Sequence, residues 1–163
     1  MDKKSQRLFK SFACALAGLG TAYLRERNFR RHLACAALVI YGGFLFEFEK
    51  TQWIAVIPVV GLVLLGELVN TAIEHMTDFF CTECSDIARA VKDIAAGGVL
   101  ICAIAAAAVG IILFWQPERF PDVTDKVVSA PLIPALVLCG LVLIVLVPDW
   151  VGVGATVPDR PRD

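Results

Sequence analysis

The chain has 163 residues, 58% hydrophobic and 19% charged, with a formal net charge of −1 and a mean hydropathy of +0.71. Soluble domains carry about a quarter of their residues charged, so this composition excludes an ordinary soluble enzyme and places the chain in a membrane. The near-neutral balance offers nothing to nucleic acid, which is not expected as a partner.

At the amino end, Leu8, Phe9, Phe12, Leu16, Leu19 and Tyr23 recur at helical spacing opposite Lys4, Arg7, Lys10 and Ser11. That pattern predicts an amphipathic helix lying on the cytoplasmic membrane surface. No apolar core follows the first charges, so no cleavable signal peptide is expected. Four spans are predicted beyond it: Leu33 to Phe46, Trp53 to about Phe80, Ile94 to Gln116 and Val127 to Val147. The first is short against the ~20 residues a bilayer needs, and tilt or the flanking Phe29 and Phe48 extend it. Pro131 and Pro134 fall in the first turns of the fourth, where proline is tolerated. The fold expected is therefore all-α. Residues 1–116 form one membrane unit, and residues 117–163 form an extension with a further span at 127–147 and a polar tail.

Charge sets the predicted orientation. Residues 1–32 hold eight of the fifteen Lys and Arg, and four spans place twelve inside against three (Lys50, Arg119, Lys126) outside. The amino terminus and the loop after the second span are thus expected in the cytoplasm. Of the six cysteines, four lie in or beside apolar helices, where Cys behaves as a small hydrophobe. Cys81 and Cys84 form a lone CTEC, half of a zinc site with no second pair at a suitable spacing.

The costly feature is the run ELVNTAIEHMTD. Glu67, Asn70, Thr71, Glu74 and Asp78 fall within an arc of about 100° on a helix, forming one polar stripe inside an apolar stretch. Each carboxylate at a bilayer centre costs about 3 kcal/mol even on the lenient scale, so such groups are read as functional. The following loop, CTECSDIARAVKD, brings Lys92 and Asp93 to the same cytoplasmic depth, with Asp86 expected to cap the next helix. Before the first span, LRERNFRRH carries Glu26 as the only acid among four arginines. Two carboxylates in a low-dielectric site repel unless a divalent cation separates them, and Mg²⁺ prefers a few carboxylates with phosphate oxygens. Glu26 and Glu74 are the expected pair. The set points to phosphoryl transfer at a membrane surface. There is no Walker A pattern, kinase glycine loop or GxSxG elbow to support a familiar nucleotide fold. A proton- or ion-conducting role is the usual alternative for intramembrane acids, but it leaves Glu26, Lys92 and Asp93 without a purpose.

These residues also carry a resemblance. FxxAxxGL from Phe12, ERNFRxH from Glu26, ExxNTAIExxxD from Glu67, and AVKD followed by AAGGVL resemble, in that order, the small bacterial integral-membrane diacylglycerol kinases, which include the undecaprenol kinases. The likeness runs from about Arg7 to Phe114. It implies a surface helix with three transmembrane helices in the bacterial plasma membrane. It further implies a homotrimer with active sites shared between subunits, and transfer from ATP with Mg²⁺ to a membrane lipid alcohol, diacylglycerol or undecaprenol. By resemblance, Glu67 is the general base, Glu26 and Glu74 hold Mg-ATP, and Asn70 contacts phosphate. Lys92 and Asp93 neutralise and position the phosphates, Asp78 pairs near the nucleotide or with an arginine of the amino segment, and Arg7 lies near the lipid headgroup. Asn28 and His32 resemble the undecaprenol kinase branch. The residues after the third span have no counterpart in the compact members, and an inactive structural member of the family is the remaining alternative.

Overall fold

A computed structural model describes residues 2–80 and 85–150; Cys81, Cys84 and the tail from Val151 lie outside the described residues. The described residues are all-α. Helices α1 (Lys3–Arg25), α2 (Arg27–Leu45), α3 (Lys50–Phe80) and α4 (Asp86–Phe114) are followed by a 3₁₀ turn (Pro117–Arg119), α5 (Phe120–Ser129) and α6 (Leu132–Trp150).

The amphipathic α1 runs where the 3.6-residue pattern placed it, and its apolar side stays uncovered: Phe9 and Phe12 are about 70% exposed. One extended residue, Glu26 (φ −100°, ψ 112°), separates it from α2. The basic run 27–32 is therefore not a flank but the opening turns of α2, so this helix begins six residues before the apolar stretch. Its apolar part is about 20 Å long at 1.5 Å per residue.

Helices α3 and α4 are each long and apolar enough to cross a membrane, at mean hydropathies of 2.0 and 2.6 over their best windows. They form an antiparallel pair, and at Gly66 a β-carbon would stand in ordinary contact with α4, 3.8 Å from the Val99 backbone and from Cys102 Sγ. The 31 residues of α3 extend about 46 Å, well beyond a hydrocarbon core of about 30 Å. Counted from Trp53, a span of about twenty residues ends near Ile73. Glu67 and Asn70 then lie within its last two turns, and Glu74 and Asp78 lie beyond it, where a carboxylate costs far less than at mid-bilayer. At the start of α4, Ser85 rather than Asp86 is the cap: its hydroxyl accepts from the Ala88 N–H at 3.0 Å, and Asp86 takes the first turn. The apolar run from Ile94 to Phe114 is the spanning part.

The far end of the bundle is closed by aromatic rings. Phe48 is buried against Trp53 and Phe114, at ring-centroid distances of 5.7 and 4.9 Å, and Phe46 meets Phe114 and Phe120 edge-on. The chain turns there through Glu47, whose φ of 51° lies in the left-handed region. A hydrogen bond and the charge of Lys126, 2.6 Å away, hold the Glu47 carboxyl below its ordinary value. That contribution to stability is present above the ordinary carboxylate range and is lost as pH falls through the lowered value.

The expected fourth span is broken. Residues 127–129 belong to α5, which meets α6 at 86°. Pro131 supplies the reason: it restricts Ala130 to a non-helical conformation (φ −132°, ψ 61°) and provides no N–H to continue α5. The apolar helix therefore starts at Leu132, and its 19 residues cover about 28 Å. α6 runs back along α2.

Gly43 tests the aromatic closure. A β-carbon there would come within 2.7 Å of the Trp53 indole and 3.0 Å of the Phe48 ring. Gly43→Ala is expected to destabilise the bundle by about 1–3 kcal/mol, measured as a lowered unfolding midpoint in detergent.

Candidate active site

The polar stripe lies on α3 and is graded in depth. Glu67 and Asn70 are buried, at 4% and 7% exposure, Thr71 and Glu74 are half-buried, and Asp78 is exposed. A buried carboxylate needs hydrogen bonds, and Glu67 has one from another helix: its Oε1 lies 2.9 Å from Nε2 of His32 on α2. Asn70 Nδ2 donates to Glu74 Oε1 at 2.8 Å, a pairing of residues one turn apart that aims the Glu74 carboxylate. The Asn70 Oδ1 is buried and has no hydrogen-bond partner among the described residues.

Glu26 reaches the site because the chain leaves helical geometry there. Its carboxylate meets His75 Nε2 of α3 at 3.2 Å. A cleft of about 610 Å³ between α1 and α3 is lined by Gly18, Glu26, Thr71 and His75, among others. On α4, Lys92 pairs with Asp78 across the α3–α4 seam. Asp93, the next residue, is exposed. Arg7 is also exposed, and it lies about 28 Å back along α1 from Glu26, beyond the part of α1 that lines the cleft. A single chain thus assembles Glu26, Glu67, Asn70, Glu74, Asp78 and Lys92 around the end of α3, with Asp93 exposed next to Lys92, and leaves Arg7 apart.

Beside Glu67 is a second recess of about 490 Å³, between α2, α3 and α4. His32 stands at the polar end, and Ala36, Val39, Val63, Ala106 and Gly110 line the remainder. That recess is suited to hydrocarbon, and the α1–α3 cleft is also mainly apolar, with Leu19, Leu68 and Ala72 beside the polar Glu26, Thr71 and His75. Carboxylate and amide oxygens are hard donors of the kind Mg²⁺ takes. Glu26, Glu74 and the unsatisfied Asn70 Oδ1 fit that requirement in kind. Among the described residues, however, no three His, Cys, Asp or Glu side chains cluster closely enough to form a protein-only metal cage.

The profile of the family described as prokaryotic diacylglycerol kinase matches residues 13–114. The chain belongs to that family. This family member is accordingly a membrane lipid kinase. It is 37% identical to the undecaprenol kinase of Bacillus subtilis over 119 residues, 70% of this chain and 97% of the relative. It is 38% identical over 112 residues to a diacylglycerol kinase of Synechocystis, covering 68% and 63% of the two chains. With the diacylglycerol kinase of Escherichia coli K12 it shares 28% over 110 residues, 68% and 90%. No solved structure matches. The family match stops at Phe114, so the kinase's α5 and α6 lie outside it.

Sequence reasoning missed three participants. His32 was visible only as a feature of one family branch, although its ring holds the buried carboxylate. His75 lies off the polar stripe, so its pairing with Glu26 had no periodic signature. Arg30 reads as one more positive flank, yet its side chain is wholly buried.

The Glu67–His32 pair makes a double-mutant test. His32→Leu strands a buried carboxylate and is expected to cost about 1–3 kcal/mol in denaturant unfolding, whereas adding Glu67→Met recovers most of the loss, because both polar partners are then gone.

Proposed function

We propose that this kinase transfers the γ-phosphate of ATP to the hydroxyl of a membrane lipid alcohol, diacylglycerol or undecaprenol, at the cytoplasmic face of a bacterial plasma membrane. The observation that carries the reading is the position of Glu67. It is a buried carboxylate oriented by His32, standing where an apolar recess meets a row of polar groups. A lipid alcohol bound with its chain in that recess presents its hydroxyl to the carboxylate.

Each residue then has a chemical task. Glu67 takes the hydroxyl proton as the oxygen attacks phosphorus; a carboxylate is far less basic than an alkoxide, so it acts as the O–H bond breaks in the transition state. His32 occupies Oε1, which leaves Oε2 for the substrate. Glu26 and Glu74, with Asn70 beside them, are the residues that would hold Mg²⁺, which supplies neutralisation of phosphate charge. Lys92, kept in place by Asp78, brings a positive charge to the phosphates, and Asp93 helps position them. Most of the acceleration comes from holding hydroxyl and phosphate in line and from fixed charge around the transferring group.

A homotrimer with shared sites completes this reading. Among the described residues α4 has none buried, Asp93 is exposed, and Arg7 stands away from the rest of the site. A neighbouring subunit that covers α4 and supplies a surface helix brings the headgroup contact, Arg7, to a site whose base it cannot reach in its own chain.

With purified protein, labelled phosphate from ATP should appear on the lipid alcohol only with Mg²⁺ present. Glu67→Ala should reduce kcat by about 10²–10⁴-fold with assembly intact. Glu74→Ala should act mainly by raising the Mg-ATP requirement. Full transfer by both variants would overturn the assignment and reopen the ion-conduction reading. Comparing kcat/KM for undecaprenol and diacylglycerol in one mixed micelle decides between the two lipids.

A further inference from the structure

The segment after α4 grips α2 at both of its ends. At the carboxyl end, Arg119 Nη1 donates to the backbone carbonyls of Phe46 and Glu47, and Lys126 Nζ donates to that of Leu45 at 3.3 Å. These are carbonyls that the end of a helix leaves without intrahelical donors. At the amino end, α6 arrives at Arg30. Pro134, Val137, Leu141 and Ile144, less exposed positions of α6, recur every three or four residues along the helix that packs on α2.

Arg30 is fully buried, at 0% exposure. Its Nε donates to the Val145 carbonyl of α6 at 3.2 Å, and its Nη1 donates to the carbonyls of Tyr23 and Leu24 at 3.2 and 3.3 Å. One guanidinium thus joins the last turn of α1, the first turn of α2 and α6. Glu26 lies between the joined parts. Its N–H bonds back to Ala22 at 2.8 Å, and its carbonyl receives the Arg30 N–H at 3.2 Å. A guanidinium cannot shed its charge, so withdrawing the Val145 carbonyl takes an acceptor from a buried N–H and loosens the group's hold on the corner. Moving the guanidinium shifts the corner that carries Glu26.

We propose that α6 is a cis positioning element for nucleotide binding. Through the Val145 carbonyl it locks Arg30, which holds the α1–α2 corner and so aims the Glu26 carboxylate. The proposal rests on the reading of Glu26 as a holder of Mg-ATP. Arg30 and α6 touch neither substrate; they act through Glu26. Because α6 lies outside the family match, this support belongs to the extension and not to the shared domain.

The test uses the full-length protein in mixed micelles with lipid alcohol and Mg-ATP. Arg30→Gln removes the lock from one side, while Leu141→Trp with Ile144→Trp pushes α6 off α2 and leaves Arg30 in place. Each is expected to raise the KM for Mg-ATP about tenfold with kcat within about threefold, and the combination should be no worse than the worse parent, since both break one connection. Amide exchange over residues 22–30 should quicken in both. Arg30→Lys, keeping the charge with fewer fixed donors, should fall between wild type and Arg30→Gln. A general loss of folding would instead lower kcat and quicken exchange throughout the bundle, and that outcome overturns the proposal, as do additive effects or unchanged exchange at 22–30. Glu26→Gln separates the two readings. If it loses Mg-ATP affinity while the α6 variant keeps wild-type KM and exchange, the positioning role fails and the metal assignment stands. If Glu26→Gln binds Mg-ATP normally, the metal assignment fails and the proposal falls with it.

Discussion

Taking the carboxylate of Glu67 out of water is the constraint around which the molecule is arranged. An unpaired charge at that depth is untenable, and one hydrogen bond from His32 converts it into an oriented group. That bond requires α2 and α3 to meet at a defined rotation and height. The requirement is met at the far end of the bundle, where Gly43 admits Trp53 and the rings of Phe46, Phe48 and Phe114 close the turn between the two helices. Packing several helical turns away therefore sets the register of Glu67 against His32.

The bilayer makes this arrangement tolerable. A span of about twenty residues counted from Trp53 ends near Ile73, so Glu74 and Asp78 lie beyond it, at the level of the headgroup layer. Glu67 lies within the last two turns of that span, buried and held by His32. A long helix that overshoots the hydrocarbon thus serves two media at once. Its apolar face meets lipid chains, and its inner end presents oxygen ligands.

Much of the candidate site was legible before any fold was known. Glu67, Asn70, Glu74 and Asp78 share a face because the helical period is a local property, whereas the partner of Asp78 was not legible: it is Lys92 of α4. The interruption of the last apolar run was less legible. Pro131 was visible, but a proline in a first turn and a proline between two helices carry the same local signal, and the choice depends on whether Phe120–Ser129 finds a partner at the end of α2. Ser85 likewise took the capping role expected of Asp86, since both residues are good caps and only the backbone path selects one.

The sequence by itself determined the class of molecule, the polar stripe and the family, because composition, period and motif order depend on residues close together in the chain. Tertiary structure alone decided which side chains complete the site. His32 reaches Glu67 across 35 positions, His75 reaches Glu26 across 49, and Arg30 finds its partner 115 residues away. That last partner is a backbone carbonyl, and every residue has one. No side-chain pattern announces it, and only the packing of α6 on α2 brings it to the guanidinium.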